Sequence, residues 1–129
     1  MSCTDEHYTL PTRNFVGGSS EEFQFNLYHD VENQEPCNIF GGEANFSIVS
    51  FINRLGTPIV SKKMEVHMND EGTYYNVIRV CLDPSDTVEL FGKFIYQITL
   101  KDIEGNIDIP HQGIINIYNN IDKLFTKRE

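Results

Sequence analysis

Nucleophilic catalysis needs a serine or cysteine beside a histidine that an acid orients. The sequence has serines, but none stands in a Gly-x-Ser-x-Gly elbow. Its four histidines, His7, His29, His67 and His111, fall in separate stretches, with no pair at the helical or hairpin spacing that metal ligands use. Asp83, Asp86 and Glu89 lie close together, yet they lack the alternating spacing of a calcium loop. Asp83-Pro84 with Asp86 fits a capped turn better. Gly17-Gly18 and Gly41-Gly42 read as turns, because no Gly-Lys-Ser/Thr follows either pair. Glu21 and Glu22 point to opposite faces of a strand and cannot work together as acid and base. The sequon Asn45-Phe46-Ser47 lies inside a predicted strand. No residue is assigned to catalysis, to a cofactor or to a metal. The chain reads as a non-enzyme.

Cys3, Cys37 and Cys81 share no metal-ligand or redox spacing. Their odd number, and a first segment MSCTDEHYTL with neither basic start nor apolar run, lead us to expect unpaired thiols in a reducing compartment, with a Cys37–Cys81 disulfide as the alternative.

Aromatic residues carry more information. Tyr28, Phe51 and Tyr75 fall opposite the main apolar stripes, and Phe91 sits in a turn. In the tail from Asn120, Ile121, Leu124 and Phe125 share one helical face ahead of Lys127-Arg128. Exposed apolar residues of this kind mark partner surfaces. These seven are the candidate interface residues; the competing expectation is that the tail packs on its own domain.

The elements that hold them have a period of two. Phe23, Phe25 and Leu27 alternate with polar residues, and Ala44, Phe46, Ile48 and Ile52 repeat the pattern, with Val49 and Phe51 making the second face apolar near its end. Val60, Met64, Val66 and Met68 form the next stripe, broken by Lys62, which predicts an edge strand. Ile78, Val80 and Leu82 follow, and then Phe94, Tyr96, Ile98 and Leu100. Glu104-Gly105-Asn106 predicts a hairpin turn into a last strand from Ile107 to Tyr118, where Pro110 and Gly113 predict a bulge or an edge. Asp83 to Leu90 has room for one helical turn. Six or seven short strands joined by short turns predict an all-β antiparallel sandwich or small barrel.

At 129 residues the chain has room for one domain. Nineteen acidic against ten basic residues, a net charge of −9, argue against nucleic acid and anionic membranes as partners. No apolar run reaches the ~20 residues of a membrane helix.

Two groups of motifs stand out: Arg13-Asn14-Phe15-Val16-Gly17-Gly18 leading into Phe23-x-Phe25-x-Leu27, then Gly42-x-Ala44-x-Phe46-x-Ile48. Leu82-Asp83-Pro84-Ser85-Asp86-Thr87, Gly92-Lys93-Phe94-x-Tyr96-x-Ile98 and the turn from Asp102 to Asn106 form the second group. On these motifs residues 13–118 resemble the immunoglobulin-like module at the N-terminus of phage baseplate upper proteins and in related small virion proteins. Absence of tryptophan and of two cysteines at core spacing sets the chain apart from antibody-type domains. The resemblance implies an immunoglobulin-like antiparallel β-sandwich of about seven short strands, flanked by an arm (1–12) and a tail (119–129). It further implies a non-catalytic phage adaptor or decoration module without cofactor. Such a module would dock in many symmetric copies on capsid, tail or baseplate proteins, residing in the virion and, during assembly, in the host cytoplasm. The alternative function is a carbohydrate-binding or adhesin-like sandwich of cellular origin.

Overall fold

Residues whose apolar side chains alternate must leave one strand face dry, and two such faces bury each other. A computed structural model describes residues 12–30, 35–52 and 56–127 and shows this arrangement. Its strands are β1 (Thr12–Val16), β2 (Glu21–Asn26), β3 (Tyr28–Asp30), β4 (Glu35–Pro36), β5 (Glu43–Ser50), β6 (Val60–His67), β7 (Val77–Leu82), β8 (Gly92–Lys101) and β9 (Ile107–Tyr118). Two short helices, α1 (Pro84–Thr87) and α2 (Lys123–Lys127), complete the described chain. The arm 1–12, with Cys3 and His7, lies outside the described residues apart from Thr12.

Seven strands form one curled sheet in the order β1-β9-β8-β5-β6-β7-β2, while β3 and β4 pair separately. The curl closes the sheet on itself as a β-sandwich, the all-β class that the alternation predicts. The bend falls in β6, whose Val60–Met64 half pairs with β5 and whose Glu65–His67 half pairs with β7. This corrects the expectation that Lys62 marks an edge strand. Instead the Lys62 ammonium donates to the Cys81 carbonyl, to Asp83 Oδ2 (3.2 Å) and to Asp86 Oδ2 (2.8 Å). The hydrogen bond to Asp86 holds the Lys62 pKa above its ordinary value. Asp86 also accepts from the Asp83 amide at 2.7 Å, so both acids belong to a capped turn.

The sheet is not wholly antiparallel. β1 runs parallel to β9, with Thr12 opposite Ile114 and Val16 opposite Tyr118. Nearly the whole domain lies between these two strands, so the rule that short turns forbid parallel pairing does not constrain them. The expected irregularity in β9 is a bulge: the register moves from Ile98–His111 to Leu100–Asp108, giving β9 one extra residue near Pro110.

Phe15, Phe23, Phe25, Phe46, Ile48, Tyr96 and Ile98 fill the core. Each such side chain stabilises the fold by about 1.5–3 kcal/mol. Across the open seam between edge strands β1 and β2, Phe15 and Phe23 meet at 6.2 Å. The Arg13 guanidinium covers the rings of Phe23 and Phe25 at 4.9 and 5.2 Å.

Cys37 is buried and disulfide-bonded, whereas Cys81 is a free, exposed thiol. The expectation of three unpaired thiols is thereby corrected, and the Cys37–Cys81 alternative fails too.

Candidate docking surface

Strand directions gather one set of connections at a single end: β1, β5, β7 and β9 finish there, and β2, β6 and β8 begin there. The Gly17-Gly18 turn is its anchor. Gly18 has φ of +86°, a left-handed conformation that costs glycine nothing. Its amide donates to the Oγ1 of fully buried Thr87 in α1 at 2.9 Å. A Cβ on Gly17 would lie 2.6 Å from the Thr87 carbonyl oxygen, so this turn must lie flat against α1.

Helix α2 sits on that platform by its polar side. Asn120 Nδ2 donates to the Gly17 carbonyl and to Thr126 Oγ1, both at 2.8 Å, and Asn120 Oδ1 accepts from the Asp122 amide at 2.7 Å. Thr126 Cγ2 approaches Gly18 so closely that a Cβ there would lie 2.6 Å away. Lys123 and Lys127 reach back to Glu89, next to α1. The Lys127 ammonium, hydrogen-bonded to Glu89, holds that carboxyl below the usual carboxylate range. A five-residue helix has no stability of its own, so these contacts fix both its existence and its rotation.

The consequence is an inverted amphipathic helix. Leu124 and Phe125 of α2 face solvent, 84% and 68% exposed, and so does Ile121, two residues before the helix, at 96%. Phe91, in the connection into β8, is 66% exposed at the same end, and Val16 and Tyr118 are exposed at the paired ends of β1 and β9. Hence the tail does not bury its apolar face in its own domain.

The other candidates behave differently. Phe51 is half-buried at this end, with the Lys93 ammonium 4.2 Å from its ring centroid. Tyr28 and Tyr75 lie at the opposite end and are half-buried, apart from the other candidates. Tyr75 packs against Phe40 with ring centroids 5.1 Å apart. Val16, Tyr118 and exposed Phe40 escaped the sequence reading, because strand-end exposure depends on what the neighbouring connections cover.

His111 is buried with its Nε2 2.8 Å from the Tyr96 hydroxyl, and His67 lies 3.1 Å from Glu65. Among the described residues, no three His, Cys, Asp or Glu side chains are grouped to hold a metal. No described helix is long and apolar enough to cross a membrane.

No protein-family model and no curated protein matches the chain. Solved structures with a similar course include CopC from Methylosinus trichosporium OB3b, at 10% identity over 87% of this chain and 88% of that one, with a TM-score of 0.45. The SrpA adhesin from Streptococcus sanguinis is 19% identical over 95% of this chain and 60% of its own, again at 0.45. Murine CRIg is 11% identical over 93% and 99% of the two chains, at 0.40. Likenesses this distant concern the fold alone.

Proposed function

We propose that this chain is a non-catalytic adaptor or decoration module of a bacteriophage virion. It docks on capsid, tail or baseplate proteins through the end that carries α2, in many symmetric copies. The observation that carries this reading is the rotation of α2, which spends its polar side on the domain and leaves Ile121, Leu124 and Phe125 to solvent. Burying each of these on a partner is worth about 1.5–3 kcal/mol before the costs of association. The resemblance of residues 13–118 to phage baseplate modules names the kind of assembly. A net charge of −9 keeps free subunits apart in the host cytoplasm before they assemble.

The test is quantitative mass spectrometry of purified particles from the host that carries the gene, with the wild-type chain and the Leu124→Glu/Phe125→Glu variant. Copies in the hundreds place the wild type on the capsid lattice, and a few tens place it on tail, baseplate or neck. The variant should be at least tenfold depleted from particles while its Tm stays within a few degrees. Absence of the wild type from particles overturns the virion reading, and equal incorporation of the variant overturns the α2 surface.

A further inference from the structure

At the end of the sandwich opposite α2, the β6–β7 connection does more than join two strands. Asn69 shapes it: its amide donates to the Tyr74 carbonyl (2.8 Å), its carbonyl accepts from Gly72 (2.9 Å), and its Oδ1 accepts from the Thr73 amide (2.9 Å). Closed in this way, the connection lies over the outer face of β2 and β7. Val77 shows the covering, because it shares the outward register of Arg79 and Cys81 and is nevertheless only 9% exposed. Between connection and sheet lies a cleft of about 570 Å³, within the range of small-molecule sites.

Its lining is polar and aromatic, with Met68 and with His67, whose ring lies 3.1 Å from Glu65, beside the groups that follow. Gln24 and Asn26 bring planar amides from β2, and Tyr28 and Tyr74 bring aromatic rings that end in hydroxyls. Asp70 and Glu71 bring carboxylates that form no ion pair among the described residues. Asn76, which also lines the cleft, is 3% exposed; its Nδ2 donates to the Leu27 carbonyl at 3.1 Å, and its Oδ1 has no partner among the described residues. The single guanidinium of the cleft is already engaged, with Arg79 donating to Gln24 Oε1 (3.0 Å) and pairing with Glu22 (3.0 Å). The unpaired charge facing a ligand is therefore negative.

We propose that this cleft binds a neutral saccharide. Sugar hydroxyls each donate and accept, which suits fixed amides and carboxylates. The C–H face of a pyranose packs on aromatic rings, which Tyr28 and Tyr74 supply. Acidic sugars and phosphorylated ligands are excluded by Asp70 and Glu71. This site is separate from the α2 surface and does not depend on the virion reading.

The experiment is an NMR titration of the ¹⁵N-labelled chain with maltose, cellobiose, lactose and N,N′-diacetylchitobiose, with sialyllactose and a trilysine peptide as contrasts. At least one neutral sugar should shift the Asn26 side-chain amide and the backbone amides of 69–77 with a millimolar Kd. Asn26→Ala and Tyr74→Ala should each weaken that binding at least tenfold without a change in Tm. No shift of these amides by any neutral sugar at tens of millimolar overturns the proposal. So does binding that survives both substitutions unchanged, and so does a response to trilysine alone, which would make the cleft a site for basic peptides.

Discussion

The ring of fully buried Tyr96 meets Phe23, Phe25, Phe46 and His111, with centroids 5.4 to 6.3 Å apart, and its hydroxyl lies 2.8 Å from His111 Nε2. Room for it comes from one residue. Gly113 stands directly across the β8–β9 ladder from Tyr96, and any Cβ there would overlap the tyrosine ring. Gly113→Ala should therefore destabilise the domain by about 1–3 kcal/mol, the usual cost of overpacking, read as a lower urea midpoint at unchanged m. An unchanged midpoint would show that the ring can move aside. The sequence marked Gly113 only as an interruption of its strand. Its role as a socket became visible when register set it opposite Tyr96.

Among the elements, most strands were legible because alternation is local: β7 and β9 fall within the predicted runs, and β2, β5 and β8 overlap theirs but begin one residue earlier. β1 offers too short an alternation to be read, and the place of β6 at the bend depends on partners far along the chain. Helix α2 was half legible. The i, i+3, i+4 spacing set Ile121, Leu124 and Phe125 on one face, but Gly17, Gly18 and Glu89, remote in sequence, decided that this face points outward. Asn120→Ala removes that seat. It should raise hydrogen exchange across 121–127 at least tenfold and leave the exchange of β8 and β9 unchanged. Because the Glu89 carboxyl is held low, its contribution to seating α2 is intact above the usual carboxylate range and is lost as pH falls through the depressed value. Exchange in the helix, corrected for its intrinsic pH dependence, should rise at acid pH in wild type and not in Glu89→Gln.

On the scale of the whole molecule, the sandwich separates two surfaces of opposite character. One end presents apolar side chains on α2, and the other holds the polar cleft under the β6–β7 connection. Strands of five to twelve residues stand between them, so substitutions at the two ends share no partners and should act additively. Leu124→Glu/Phe125→Glu should deplete particle incorporation at least tenfold and leave the saccharide titration unaltered, and Asn26→Ala should weaken saccharide binding at least tenfold and leave incorporation unaltered. If either variant altered both readouts, the two ends would be coupled through the sheet.

The sequence by itself determined the period of the strands, the all-β class, the acidic surface and the residues of the α2 apolar face, because each follows from neighbours along the chain. Only tertiary structure decided the parallel β1–β9 pair, the bend in β6, the rotation of α2 and the cleft over Val77. Those depend on contacts between residues far apart in the chain, whose strength is set by packing and hydrogen-bond geometry rather than by local preference.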